Sequence, residues 1–109
     1  MAVNWKTLCQ SVLAGAATSV YAPAAGKQAA IHSANVWNPT TAPVVVNFYL
    51  VPNAGAAADA THVHQMSVPA GKSLPVTELL NLKIVNPWSL FADGNGVTLT
   101  ITGAEADAS

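Results

Sequence analysis

Arginine is absent from this chain, and its four lysines stand against five acids, for a formal net charge of -1. Nucleic-acid binding needs a basic stripe to displace counterions from phosphates, and lysines dispersed at positions 6, 27, 72 and 83 do not make one. Charged residues are 8% of the sequence, against about 25% in ordinary soluble domains. Such depletion is what the covered centre of a protein interface shows, and a domain with so little charge is a poor solitary solute. Partners over much of the surface are therefore expected. Cys9 is the single cysteine, which excludes an intrachain disulfide and a thiolate zinc cage. Because a nucleophilic cysteine needs a basic neighbour to activate it, the favoured reading of Cys9 is a small buried apolar side chain. No stretch approaches the roughly 20 apolar residues of a membrane span. "KTLCQSVLAGAATSV" loosely imitates a signal peptide but is interrupted by Gln10 and Ser11, so export by that route is not expected.

What the chain does have is punctuation. Its 109 residues supply one core, and seven prolines (23, 39, 43, 52, 69, 75 and 87) cut it into pieces too short for ordinary helices. Between them lie runs rich in β-branched and aromatic residues: "QAAIHSANVW" from Gln28, "VVVNFYLV" from Val44, "HVHQMSV" from His62 and "VTLTITG" from Val97. In the last, Val97, Leu99 and Ile101 alternate with Thr98, Thr100 and Thr102, which predicts a half-buried antiparallel strand with a threonine face. "VVVNFYLV" is apolar on both faces, as a central or partner-facing strand would be. "DGNG", Asp93 to Gly96, supplies residues that tolerate positive φ and predicts a tight hairpin between "WSLFA" and "VTLTITG". A calcium loop there would need Glu at position 104, which is Ala.

"APAAGKQ" at 22–28 and "VPAGKS" at 68–73 each read as a turn that reverses the chain with glycine at the unusual backbone angle. The second ends like a phosphate-binding loop, but Met66 stands where that loop needs glycine. "NAGAAADAT", Asn53 to Thr61, reads as a surface loop. One helical turn is expected near Thr77 with Glu78 in its first turn, and "VNWKTLCQSVL" is ambiguous between helix and strand.

No assembled reaction centre is visible. There is no G-x-S-x-G elbow, and the acids Asp59, Glu78 and Asp93 fall in loops or turns, with Glu105 and Asp107 near the C-terminus. His62 and His64 in "HVHQM" are the weak metal candidates. On a regular strand, residues two apart share a face about 6.5 to 7 Å apart, so both would reach one zinc if His32 or Asp59 supplied a third ligand. The alternative is a polar strand face or intersubunit seam. Trp5, Trp37 and Trp88 suit packing or subunit contact, with a sugar-stacking platform as the other reading. No metal, cofactor or enzyme activity is assigned. Trp5, Trp37, Tyr49 and Trp88 are the candidate subunit contacts.

The succession "SVYAPAAGKQAAIHSANVWNPTTAPVVVNFYLVP", "VPAGKSLPV", "DGNGVTLTITGAE", spanning Ser19 to Glu105, resembles small β-sandwich structural proteins of tailed bacteriophage virions. That family pattern has a Gly-Asp turn before the penultimate strand, where this chain has Asn86-Pro87. The resemblance implies an all-β, single antiparallel sandwich of jelly-roll type over residues 19–105. Residues 1–18 would be an N-terminal contact arm and 106–109 a short polar tail. It further implies a capsid decoration (cement) protein that associates with itself and with the major capsid protein, binds neither nucleic acid nor membrane, and sits in the virion after assembly in the host cytoplasm. A head-to-tail connector, collar or tail-associated protein is the alternative placement, and a carbohydrate-binding module the alternative of another class.

Overall fold

The structure, a computed structural model, describes residues 3–52, 55, 57–58 and 61–107. Among the described residues nine strands follow one another: β1 (Val3–Val12), β2 (Thr18–Tyr21), β3 (Lys27–Trp37), β4 (Val44–Val51), β5 (His62–Val68), β6 (Ser73–Pro75), β7 (Lys83–Val85), β8 (Ser89–Asp93) and β9 (Thr98–Asp107). They form two antiparallel sheets. Sheet A runs β1-β9-β3-β6, with β7 also on β3, and sheet B runs β2-β8-β4-β5. β6 and β7 are one interrupted strand position beside β3, held there by Val76 N–H to Ala34 O (2.9 Å) and Asn81 N–H to Ile31 O (2.8 Å). Counted so, eight strand positions distribute as in a double-sheet jelly roll.

A 3-10 turn lies at Thr77–Leu79, with Glu78 in it and Leu79 buried. The N-terminal segment is strand, at the edge of sheet A, and its Cys9 and Leu13 join the core. β9 continues to Asp107, so the first two residues of the expected tail, Ala106 and Asp107, are sheet. The loop expected at Asn53 to Thr61 lies largely outside the described residues.

The core lies between the sheets. Ile31, Ala34 and Val36 of β3 and Leu99 and Ile101 of β9 meet Val46 and Phe48 of β4 and Leu90 and Ala92 of β8. Val97, Leu99 and Ile101 are fully buried while Thr98, Thr100 and Thr102 are half-buried on the outside, as the alternation in "VTLTITG" requires. β4 lies between β8 and β5, and its two apolar faces meet different surroundings, the inner one the core and the outer one leaving Val45 50% exposed. Val46 and Phe48 are core, and Val51 is covered on the other side, with Gly55 against it.

The turns correct one expectation. "DGNG" does turn the chain, with Val97 N–H on Gly94 O at 3.0 Å and Gly96 at φ 89°, but β8 and β9 are not paired with each other. The turn carries the chain from sheet B to sheet A instead of closing a hairpin. "APAAGKQ" and "VPAGKS" are the same kind of corner, each leaving sheet B for sheet A with its glycine at positive φ (Gly26 76°, Gly71 69°).

Asn38 sits where the "VPAGKS" corner meets the connection from β3 to β4. It is completely buried. Its Nδ2 donates to Ala42 O and Val68 O, both at 2.9 Å, and its Oδ1 accepts from Thr40 N–H (2.9 Å) and Thr40 Oγ1 (2.6 Å). Its backbone exchanges hydrogen bonds with the "PAGKS" corner, Asn38 N–H to Lys72 O (2.9 Å) and Gly71 N–H to Asn38 O (2.8 Å). One asparagine thus fastens the "WNPTTAP" and "VPAGKS" segments together.

Candidate functional site

The outer face of sheet A is built from every second residue of its strands, because successive side chains alternate between faces. The register sets them in rows. Val12, Thr98, Trp37 and Ser73 form one; Gln10, Thr100, Asn35 and Pro75 the next; then Thr7, Thr102 and Ser33; then Trp5, Ala104, Ala30 and Lys83. Beyond them Ala106 pairs with Gln28, and Gln28 with Val85. Among the described residues of this face, Lys83 alone is charged, and its ammonium is drawn to Asn81 O at 2.9 Å. Trp5 (70% exposed), Val12 (68%) and Trp37 (48%) stand out from it. Trp5 meets His32 edge-on at 5.5 Å between ring centroids, and Ser33 Oγ and Thr102 Oγ1 are 2.7 Å apart at mid-face. Around Ala30, Ala104 and Ala106 the small side chains leave a shallow apolar depression of about 210 Å³, bordered by Gln28 and Lys83.

The outer face of sheet B is different in kind. Asn47 Nδ2 donates to Asp93 Oδ1 at 2.9 Å, Tyr49 Oη lies 3.3 Å from Asp93 Oδ2, and Gln65 Nε2 donates to Asn47 Oδ1 at 2.9 Å. His62 Nε2 is 3.1 Å from the same Asn47 oxygen, with its ring 5.0 Å from that of Tyr49. This is a closed polar network in which side chains satisfy one another.

The two histidines part company here. His64 is paired across from Phe48 and His62 from Tyr49. Two steps along β5 separate them but only one step along β4, so Val63 is the extra residue of a β-bulge. Neighbouring residues of β4 face opposite ways, and the histidines follow them. His62 lies on the outer face with Tyr49, while His64 stacks on buried Phe48 at 6.3 Å, its Nε2 3.3 Å from Glu78 Oε1 of the 3-10 turn. The expected shared face is therefore overturned, and no group of three metal-ligating side chains occurs among the described residues.

The tryptophans do not converge either. Trp5 and Trp37 share a face but sit three rows apart, and Trp88, 41% exposed, follows β7 in the turn to β8 with its N–H on Val85 O at 2.8 Å. Tyr49 is half-buried within the polar network. The small-residue depression was missed by sequence reasoning, because Ala30, Ala104 and Ala106 come from distant strands. The signal available was the alternation of alanine in "GAEADA" and the adjacent alanines of "QAAI".

At the end of the sandwich, Tyr21 Oη of β2 donates to Glu105 Oε2 of β9 at 2.5 Å, joining the two sheets, and Lys6 Nζ lies 3.6 Å from Glu105 Oε1. Burial, then the bond to Glu105, pushes the Tyr21 hydroxyl above its ordinary range, and the same bond holds the Glu105 carboxyl below its own.

A jelly-roll sandwich with one sheet face that bears two tryptophans and, among its described residues, a single charge is thus the class of molecule that fold and surface define. No family model matches the chain, nor does any curated protein. It is similar to a solved structure described as "Bacillus endospore appendages form a novel family of disulfide-linked pili", with TM-score 0.54 and 18% identity over 98% of this chain and 89% of that one. At that identity the likeness concerns the fold.

Proposed function

We propose that this chain is a structural subunit that works by burying the outer face of sheet A against other protein in a multicopy particle, and that the particle is a tailed-bacteriophage virion in which the chain decorates the capsid. The observation that carries the reading is the face itself: ordered strands with exposed Trp5, Trp37 and Val12 and a single charge, Lys83, among its described residues. Water gains little from such a surface, and apolar area removed from it contributes about 25 cal/mol per Å². A chain of this fold in a pilus supports the idea that the sandwich suits self-assembly, and the motifs over Ser19 to Glu105 support the virion.

The test is location. Particles purified from a producing lysate are banded and their proteins quantified. Stoichiometric co-sedimentation is expected, with release under conditions that destabilise the shell. A chain that stays wholly in the supernatant overturns the reading. Separating heads from tails then distinguishes decoration from the head-to-tail, collar and tail placements.

A further inference from the structure

We propose that two copies of this chain pack face to face through sheet A about a twofold axis, each inserting Trp37 into the alanine-floored depression of the other. The inference rests on the reading of sheet A as a covered face and adds what covers it.

Three observations carry it. The first is position. Along β9 the outward rows fall at Thr98, Thr100, Thr102, Ala104 and Ala106. Trp37 stands in the Thr98 row and the depression spans the Ala104 and Ala106 rows. The midpoint between knob and hole is therefore the row of Ser33 and Thr102. A twofold axis lying between the faces, across the strands at that row, keeps each strand over its own copy and reverses the order of rows. It sets Trp37 of β3 over Ala30 and Gln28 of β3 in the partner, and the reciprocal contact follows by symmetry.

The second is chemistry. The depression is floored by methyl groups, and the Lys83 ammonium is turned to Asn81 O, so its methylenes are left along the border beside the hole. An indole ring fits such a lining, and the nearby cation favours its face. The one charge among the face's described residues, Lys83 in the Ala104 row, falls over the Thr100 row of the partner and not over its own mate, so two like faces meet with little charge repulsion.

The third is size. β1, β9 and β3, ten or eleven residues each, with β6 and β7 beside them, make a plane of about 550 Å² at the usual strand spacing and rise. Side-chain relief raises the accessible area above that projection. A standard interface takes about 800 Å² from each partner, so this face is of the order a stable pair requires.

Sedimentation velocity on the purified full chain over a wide concentration range is expected to show a monomer-dimer equilibrium. Trp37→Ala, which empties the knob, and Ala104→Leu, which fills the hole, each weaken it about 30-fold, as loss of a central hot spot does. Trp88→Ala leaves it unchanged. Circular dichroism melts confirm that the variants fold. In a Cys9→Ala background, Thr102→Cys lies beside the axis and is joined to its own copy by a short bis-maleimide. Thr98→Cys, two rows from the axis and so roughly 27 Å from its mate along the strands, is not. A monomer at every concentration, a dimer indifferent to both Trp37→Ala and Ala104→Leu, or equal cross-linking at both cysteine positions overturns the proposal. A chain that is monomeric yet co-sediments with particles removes the twofold pair while leaving the structural role intact.

Discussion

The side-chain amide of Asn38 donates to the carbonyl of Val68 across 2.9 Å, and this bond spans two sheets. Asn38 follows β3 of sheet A, and Val68 ends β5 of sheet B. A buried amide satisfied on all sides is worth more than its number of bonds, because removing it leaves its partners dry and unpaired.

Asn38→Ala is accordingly expected to destabilise the fold by about 3 kcal/mol, the cost of several buried groups left without partners. Asn38→Asp does no better, since a carboxylate cannot donate to the carbonyls of Ala42 and Val68. Urea unfolding followed by tryptophan fluorescence measures both, and a loss under 1 kcal/mol for the alanine variant contradicts the account.

Gly103 and Gly71 separate steric from conformational demand. A Cβ on Gly103 would lie 2.1 Å from the Ala30 carbonyl oxygen, whereas one on Gly71 meets nothing within 4 Å but requires φ of 69°. Gly103→Ala is expected to cost about 3 kcal/mol or more, and Gly71→Ala about 1 to 2. Thermal melts of the pair give the ranking, and equal midpoints would refute it.

The Tyr21–Glu105 bond makes stability depend on pH at both ends. The depressed Glu105 carboxyl contributes stability that is present above about pH 4.3, its unfolded value, and is lost as pH falls through the lower folded value. The raised Tyr21 hydroxyl contributes stability present below about pH 10, lost as pH climbs towards the folded value. Tyr21→Phe should flatten both limbs. Melting temperatures of both proteins from pH 3 to about 11 check it; parallel curves count against the bond.

Because the bulge at Val63 turns His62 and His64 to opposite faces, zinc has no two-imidazole grip on β5. Titration with Zn²⁺ is expected to leave the melting temperature within a degree. A saturable rise abolished by both His62→Ala and His64→Ala would show that the histidines converge after all.

The class of fold and the character of the surface were legible in the residue pattern alone. Alternation in "VTLTITG" dictates which side of β9 is buried, since a strand has period two. Prolines exclude long helices, and near-absence of charge describes the outer skin wherever the strands go. Glycine-bearing corners are local events, so their positions were legible as well. Which strands become neighbours was not, because it is settled only when the whole chain packs. "DGNG" reverses the chain equally well within a sheet or between sheets, and only packing of the whole core sends β8 and β9 to different layers. The bulge at Val63 belongs to the same category, for it exists only relative to β4 and reverses the facing of one histidine. So does the depression over Ala30, Ala104 and Ala106, because a hole is made by residues that are distant along the chain and adjacent only after folding.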